Sequence, residues 1–413
     1  MNSKMKFVGN WGRLGMKFNI WEDCPKVPIT ELLSFIVDNR GKTVPTANDG
    51  WKLIATNCVT NNTLFPVYEK VRYFTQETYE TWFRAHPMPG DILFVNKGTP
   101  GRVCMVPDPV DFCIAQDMIA LRADDKKIYN KYLFAVLRSR EIQQQIYNTN
   151  VGDVIPHFKK QFMDQLLIPV PDRKIQEKIG NLYYQLSYKV ELNKKINENL
   201  EQQAQAIFAQ EFLNRSSVPD DWKEGSLLDI ADYLNGLAMQ KFRPSDDEIG
   251  LPVLKIKELR QGSCDSSSDL CSASIKPIYI IHDGDVIFSW SGSLLVDFWC
   301  GGTCGLNQHL FKVTSQKYDK WFYYAWTKHH LDRFIAVAAD KATTMGHIKR
   351  EDLAKAEVLI PNNADYSRIG SLLQPIYNLI IANRIENKKL AEIRGSLLPK
   401  LMSGEINILE SDI

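Results

Sequence analysis

The chain repeats itself, and this repeat constrains its fold more than any other feature. Ile179 matches Ile369, Asn193 matches Asn383, and each pair is separated by 190 positions. Similarity at a fixed offset is the signature of a duplicated structural unit. The sequence therefore predicts two copies of one architecture in a chain whose length already indicates two or more domains.

The offset between the copies is constant in one part and drifts in another. Gln116 falls near Gln308, and the Gly-Asp pair beginning at Gly90 echoes the pair beginning at Gly284, at offsets that differ from 190. The motif at His157 falls on the motif at His347. Loops of variable length upstream of an ungapped element would give this pattern. Each copy is therefore a variable part followed by a rigid part.

The rigid parts have the apolar spacing of long helices. Apolar residues recur in steps of three and four, as in the seam of a coiled coil. The positions are Ile179, Leu182, Leu186, Ile196, Leu200 and Ile207 in the first copy, and Ile369, Leu372, Ile376, Leu379, Leu390, Ile393 and Leu397 in the second. Pro375 interrupts the second series, and a kink or a lost hydrogen bond is expected there.

The variable parts contain short runs typical of β-strands, punctuated by Gly, Pro and Asn. These runs are 91–96, 103–106, 252–256 and 285–290. They predict mixed domains of α+β class. The segment from Leu213 to Asp221 is expected to link the copies.

Composition gives a weaker indication. The chain is 44% hydrophobic and 24% charged, which is typical of a folded globular protein. Its net charge of +1 argues against an extensive basic surface, so any nucleic-acid contact would be local. The sequence has no run of 18 apolar residues and no apolar N-terminal segment, from which we expect a cytoplasmic protein. The eight scattered cysteines are expected to be reduced thiols.

Motifs that would indicate an enzyme are incomplete. Residues 41–43 read Gly-Lys-Thr, but a phosphate-binding loop needs glycine where Ile36 stands. The Cys300/Cys304 and Cys264/Cys271 pairs lack the spacing of common zinc sites. We therefore expect a non-catalytic chain without metal or cofactor of its own.

The whole pattern resembles the specificity subunit of a type I restriction-modification system. The resemblance covers about Ile20 to Glu405 and is carried by the helix repeats, the Asp221-Trp222-Lys223 opening and the Gly-Asp-(Ile/Val)-x-Phe strand signature. It implies that each variable domain reads one half of a split target in double-stranded DNA. It also implies that the helices pair antiparallel as a spacer. The implied partners are methyltransferase subunits and translocating restriction subunits, which are expected to use S-adenosylmethionine, ATP and Mg.

The predicted architecture is therefore α+β, with two mixed α/β target-recognition domains in tandem, each followed by a long helix, the two helices pairing as an antiparallel coiled coil. The predicted segments are an N-terminal extension at 1–20, recognition domains at 21–172 and 218–362, spacer helices at 173–213 and 363–404, and a tail at 405–413. The extension either packs back on the C-terminal helix or is disordered.

An antiparallel pair related by a twofold axis brings equivalent residues together only at its midpoint. Asn193 and Asn383 are the candidates, since both lie near the middle of the apolar seam, where a buried polar pair fixes helix register. The alternative is two solvated side chains. A helix of about 40 residues spans roughly 60 Å, and half-sites one duplex turn apart lie about 34 Å apart, so helix length would set the gap in the target.

Base reading needs paired donors and acceptors on loops, and most other contacts grip phosphate. The candidate DNA-binding residues are Arg40, Lys42, Lys97, Arg102, Lys159 and Lys160 in the first domain, and Lys241, Arg243, Lys255, Lys257, Lys349 and Arg350 in the second. Two rival hypotheses stay open. One is a coiled-coil scaffold whose repeated domains bind protein or RNA, and the other is an enzyme with an unfamiliar site.

Overall fold

The chain forms two compact units. A computed structural model describes residues 18–39, 41, 43–114, 116–149, 156–340 and 347–406. Unit 1 comprises residues 1–192 and 390–413, and unit 2 comprises residues 193–389. Both long helices therefore contribute residues to each unit. Residues 1–17 and 407–413, which make up most of the predicted extension and tail, lie outside the described part.

The helices and strands follow in chain order. The helices are α1 (Ile20–Asp23), α2 (Gln76–Thr81), α3 (Asn130–Leu137), α4 (Arg140–Asn148), α5 (Arg173–Phe208), α6 (Leu227–Ile230), α7 (Ile256–Gln261), α8 (Lys320–His329), α9 (Leu331–Asp340), α10 (Arg350–Ala354) and α11 (Asn363–Met402). The strands of unit 1 are β1 (Lys26–Pro28), β2 (Leu33–Val37), β3 (Trp51–Ile54), β4 (Arg72–Phe74), β5 (Ile92–Val95), β6 (Val103–Met105), β7 (Phe112–Ile114), β8 (Met118–Ala123) and β9 (Leu167–Pro169). The strands of unit 2 are β10 (Lys223–Ser226), β11 (Asp232–Asn235), β12 (Leu251–Leu254), β13 (Leu270–Cys271), β14 (Ile280–Ile281), β15 (Val286–Ser289), β16 (Leu295–Phe298), β17 (Cys304–Leu306), β18 (Leu310–Thr314) and β19 (Glu357–Ile360).

Unit 1 contains two principal sheets and a short ribbon. The strand order is β2-β8-β5-β6 in the antiparallel sheet and β4-β3-β7 in the smaller one, where β3 and β7 run parallel. The ribbon pairs β1 with β9. The larger sheet packs against α3, α4 and the start of α5 around a core that includes Phe94, Tyr132 and Ile179.

Unit 2 repeats this arrangement. Its antiparallel sheet has the order β11-β18-β15-β16, and its second sheet has the order β13-β12-β17-β14, with β12 and β17 parallel. The ribbon pairs β10 with β19. The two units therefore share one topology, which confirms the predicted tandem of mixed α/β domains, each followed by a long helix.

The Gly-Asp signature builds the same turn in both units. Gly90 and Gly284 both have φ of 86°, a conformation in which a side chain would be strained. The carboxylate that follows closes the turn: Asp91 accepts a hydrogen bond from the Met88 amide, and Asp285 accepts one from the His282 amide, each at 2.9 Å. The chain then enters the central strands β5 and β15.

The buried stripe of the helices differs from the predicted seam. Leu372, Leu379 and Ile393 are 45%, 46% and 48% exposed. The buried positions of α11 include Leu373, Tyr377, Ile380, Asn383, Arg394 and Leu398, and those of α5 include Ile179, Tyr183, Ser187, Val190, Asn193 and Asn197. The prediction was wrong at these steps because it counted Leu and Ile alone, whereas tyrosines and polar side chains occupy much of the buried face.

Proline does not end the second helix. The helix α11 runs without interruption from Asn363 to Met402, with Pro375 inside it.

In the described ranges, no helix is both long and apolar enough to cross a membrane.

Four asparagines of unit 2 meet where α5 and α11 pair antiparallel. Asn193 Nδ2 donates to Asn387 Oδ1 at 2.9 Å and to Glu386 Oε2 at 2.7 Å. Asn383 Nδ2 donates to Asn197 Oδ1 at 2.9 Å. Asn193, Asn197 and Asn383 are buried, which excludes the solvated alternative.

The predicted contact between Asn193 and Asn383 is therefore wrong. Each binds the asparagine one helical turn from the other, because the midpoint of the pairing falls between the two layers. Asn197 and Asn387 are themselves separated by 190 positions. The two hydrogen bonds, Asn193 with Asn387 and Asn383 with Asn197, are thus equivalent under the repeat. We call these four residues the asparagine cluster.

The described end of the predicted N-terminal extension packs within unit 1. Ile20 is fully buried in the core that also contains Leu398, Leu401 and Met402. The backbone of Phe18 lies so close to Gly404 that a Cβ on this glycine would meet the Phe18 carbonyl oxygen at 2.0 Å. Residues 18–20 therefore pack on the C-terminal helix.

Candidate nucleic-acid interface

Unit 2 has a cleft at the carboxyl ends of the parallel strands β12 and β17, lined by both polar and apolar side chains. Its volume is about 860 Å³. The lining residues are Met239, Gln240, Arg243, Pro244, Val253, Lys255, Ile256, Lys257, Asp269, Leu270, Asn307, Gln308 and His309. Loops beyond the carboxyl ends of parallel strands commonly form binding sites, since side chains from neighbouring strands converge there. We call this the unit 2 cleft.

Backbone contacts hold the floor of the unit 2 cleft. The backbone N–H of Asn307 donates to the Leu254 carbonyl at 3.2 Å, and the backbone N–H of Gln308 donates to the Leu237 carbonyl at 2.8 Å. Gly236 permits this approach, because a Cβ there would lie 2.2 Å from the Asn307 carbonyl oxygen. The segment that carries Gln308 and His309 is therefore held on one side by β12 and on the other by the chain that follows β11.

An acidic loop faces the lysines of the unit 2 cleft. This loop, residues 263–269, places Asp269 in an ion pair with Lys255 and Asp265 Oδ2 at 3.9 Å from Lys257 Nζ. Lys257 also donates to Ser267 Oγ at 2.8 Å. Hydrogen bonds from Ser267 and Gln261 lower the pKa of Asp265 to about 2, and the hydrogen bond from Lys255 lowers the pKa of Asp269. Both carboxylates are thus charged at neutral pH.

Unit 1 has a smaller cleft at the same point of its fold. This unit 1 cleft has a volume of about 140 Å³ and lies at the carboxyl ends of the parallel strands β3 and β7. Its lining residues are Thr43, Val44, Ala55, Thr56, Arg72, Gln116 and Asp117. Gln116 stands two residues after β7, and Gln308 stands two residues after β17. The repeat thus places a glutamine in both clefts.

Three of the six residues predicted to bind DNA in unit 2 line its cleft, namely Arg243, Lys255 and Lys257. Lys241 is exposed at the end of the short 3-10 helix that begins at Met239. The structure does not bring the remaining two to the cleft, since Lys349 and Arg350 are exposed at the start of α10.

The described residues among those predicted in unit 1 lie outside its cleft. Lys97 pairs with His157 in an isolated antiparallel bridge, which places Lys159 nearby, and both lysines are exposed. Lys160 forms an ion pair with Asp38 at 2.8 Å. Arg102 is exposed directly before β6. The predicted contacts at Arg40 and Lys42 lie outside the described residues.

The histidine bridge is repeated in unit 2 between Ser291 and His347. The residue after each histidine, Phe158 or Ile348, is buried. Its backbone N–H donates to the carbonyl oxygen of the residue that directly follows β5 or β15. The duplicated histidine motif therefore anchors the chain to the central sheet.

Sequence reasoning missed several residues that line the clefts. They are Arg72, Gln116, Asp117, Asn307, Gln308 and His309. The predicted set held only lysine and arginine, and so it left out the uncharged polar side chains of Gln116, Asn307 and Gln308. The match of Gln116 to Gln308 at an offset of 192 was the available signal, since the repeat preserves this glutamine in the variable part of the chain.

The described residues contain no group of three or more His, Cys, Asp or Glu side chains arranged to hold a metal ion. All eight cysteines are free thiols, and most are buried. Burial raises the pKa of the Cys113 thiol to about 12, which leaves it protonated at neutral pH.

Comparison with known proteins identifies the family. The model of the type I restriction modification DNA specificity domain matches the chain twice, at residues 26–202 and 219–394. The type I restriction enzyme MjaIX specificity subunit of Methanocaldococcus jannaschii is 25% identical over 308 residues, which cover 68% of this chain and 70% of that protein. The EcoKI specificity subunit of Escherichia coli K12 is 25% identical over 318 residues, which cover 68% and 67%.

A solved structure supports the fold. The S subunit of the type I restriction-modification system from M. genitalium superposes with a TM-score of 0.59 at 14% identity, covering 94% of this chain and 98% of that one. The two family matches together cover more than half of the chain and fall on the duplicated units. The chain therefore belongs to the type I restriction-modification specificity subunits, the non-catalytic recognition components of these systems, and it carries two DNA specificity domains in tandem.

Proposed function

We propose that the chain recognises a split target in double-stranded DNA, with each unit reading one half. The observation that carries this proposal is the pair of clefts at the same point of a duplicated fold, lined by different side chains. A duplicated scaffold supports the same docking geometry twice, while the different linings support recognition of two different half-sites. Near-neutral net charge agrees with contacts confined to such local surfaces.

In the same proposal, the long helices set the gap between the half-sites and dock methyltransferase subunits. The continuous lengths of α5, with 36 residues, and α11, with 40 residues, support a spacer role. Helices of about 36 to 40 residues are roughly 54 to 60 Å long, which exceeds the separation of about 34 Å between half-sites one turn apart. The methyltransferase and restriction subunits would supply the chemistry that uses S-adenosylmethionine, ATP and Mg.

Co-expression of the full chain with its methyltransferase subunits tests this function. Mapping of methylated bases in the host genome should reveal one split motif, and deletion of the chain should abolish it. Replacing residues 21–172 by the first domain of another specificity subunit should change one half of the motif and leave the other half and the gap intact.

Binding measurements separate this function from the rivals. The assembled complex should shift duplex DNA carrying the split motif, with affinity falling as salt rises. A complex that leaves the genome unmodified and prefers RNA or a protein ligand at low salt would overturn the proposal in favour of a scaffold.

A further inference from the structure

We propose that Gln116 and Gln308 are equivalent base-reading residues, each selecting an adenine in its own half-site. This inference rests on the proposed function and names the side chains that would carry it out. Gln116 follows β7 and Gln308 follows β17 by two positions, each of these strands being the parallel partner of β3 or β12, and both glutamines line the cleft there. They occupy one place in a duplicated fold.

The chemistry of the side chain points to adenine. A primary amide presents an N–H donor and a carbonyl acceptor side by side, with a second N–H left over, and glutamine pairs in this way with N6 and N7 on the major-groove edge of adenine. A lysine or arginine at this position would instead favour guanine, and an aspartate or glutamate would favour cytosine. The same amide in both clefts therefore gives both half-sites an A·T pair at the equivalent position.

The surroundings of Gln308 hold its side chain at the cleft. Its amide nitrogen Nε2 lies 3.3 Å from His309 Nε2, and His309 Nδ1 lies 3.1 Å from the hydroxyl of Ser291. Ser291 is buried, so this hydrogen-bonded series is anchored in the body of unit 2. Pre-positioning of this kind reduces the entropy lost when the amide pairs with a base.

The neighbours of the two glutamines differ. The residue that follows is Asp117 in unit 1 and His309 in unit 2, and the residue after the adjacent parallel strand is Ala55 in unit 1 and Lys255 in unit 2. Unlike neighbours around a common amide would give half-sites that share the adenine and differ beside it.

Selection of targets from a pool of randomised duplexes tests this inference, using the full chain assembled with its methyltransferase subunits. Gln308→Ala should relax preference at one A·T pair of one half-site by roughly tenfold or more, and Gln116→Ala should do the same in the other half-site. Gln308→Glu should move the preference at that pair toward C·G, since a carboxylate accepts a hydrogen bond from cytosine N4. Gln144→Ala, at an exposed position of α4, is the matched control and should leave the motif unchanged.

The outcomes distinguish this inference from the proposed function. If the unmodified chain selects no split motif, the proposed function fails. If it selects a split motif that neither Gln308→Ala nor Gln308→Glu alters, or if the altered position is not A·T, only the inference fails. Thermal unfolding shows whether each variant folds, and Gln308→Glu decides the question should Gln308→Ala lower the melting temperature.

Discussion

The clefts of the two units lie at the same place in the same topology, yet they differ in size and charge. In unit 1 the described lining holds one cation, Arg72, and one anion, Asp117. In unit 2 it holds Arg243, Lys255 and Lys257 with the single anion Asp269, in a volume about six times larger. The duplicated scaffold thus leaves the loops after the strands free to diverge. Recognition varies where packing does not constrain the side chain.

One local difference accounts for part of the larger cleft. After β3 the chain makes a short 3-10 helix, Thr56–Cys58, whereas after β12 it forms the two-turn helix α7 and then the acidic loop. The helix presents Lys257 and Arg260 on an exposed face. The connection after an equivalent strand therefore differs in structure between the units, and this difference changes both the shape and the charge of the site.

Equivalent glycines provide the sharpest test of how far the two units match. Gly180→Ala should destabilise the chain by about 3 kcal/mol, because the new methyl group would lie 2.5 Å from the Tyr132 backbone nitrogen, where no side-chain rotation relieves the overlap. Gly370→Ala, at the equivalent position, meets only the Trp321 indole at 3.0 Å. Its cost should stay below about 1 kcal/mol, since alanine also favours the helix.

The free energies of unfolding of both variants, measured in urea against the unmodified chain, check this contrast. Gly395→Ala in α11 is the control, because a Cβ there meets nothing within 4 Å. Equal losses at Gly180 and Gly370 would mean that the two helix crossings are equally close, contrary to the structure.

The asparagine cluster gives the next contrast. Asn197→Ala should cost about 2 kcal/mol, because it leaves the buried Asn383 amide without its acceptor. Asn387→Ala, its equivalent under the repeat, should cost less than about 1 kcal/mol, since Asn193 keeps its hydrogen bond to Glu386. Urea unfolding of the two variants measures the difference, with exposed Asn199→Ala as the control. A larger loss for Asn387→Ala would contradict the observed pairing.

The same cluster shows what the sequence could and could not predict. The resemblance implied the antiparallel pairing, and the 190-residue offset singled out Asn193 and Asn383 but not Asn197 and Asn387. It did not give the register. Register depends on side-chain packing across the helices, where Tyr183 and Tyr377 displace the Leu and Ile positions that a heptad count selects. A shift of one helical turn is invisible to periodicity alone.

The candidate binding site was predictable in location more than in composition. The variable parts were expected to carry recognition, and Arg243, Lys255 and Lys257 do line a cleft. The glutamines were missed because only the fold brings the end of β17 beside the end of β12, which lies about 50 residues earlier in the chain. Sequence proximity gave no reason to place Gln308 next to Lys255.

Removal of one lysine should separate phosphate gripping from base reading. Lys257→Ala should weaken binding of every duplex by about fivefold, since a phosphate contact carries no sequence information. It should also reduce by about 1 the magnitude of the slope of log affinity against log salt concentration. The selected motif should stay the same. Electrophoretic shifts at several salt concentrations measure both quantities, and Lys317→Ala, at an exposed lysine that does not line the cleft, is the control. A changed motif with an unchanged slope would assign Lys257 to base reading instead.

Removing the charge of Asp269 in the acidic loop should have the smallest effect on DNA affinity. It should raise that affinity, whereas Lys257→Ala should lower it. In the proposed function, Asp269 would compete with phosphate for Lys255, so that any DNA that lacks compensating base contacts would have to displace an ion pair already present in the free chain. Asp269→Asn should therefore raise affinity for unrelated duplexes by roughly twofold, as befits an exposed pair, and reduce the ratio of specific to non-specific binding. Because Ala55 occupies the position of Lys255 in unit 1, preference in the unit 1 half-site should not change.

Competition binding with specific and unrelated duplexes measures the ratio, and exposed Asp220→Asn controls for the loss of one negative charge. If Asp269→Asn weakens binding to both duplexes, the loop stabilises the cleft and does not compete with DNA, and the contrast between the units is one of shape alone.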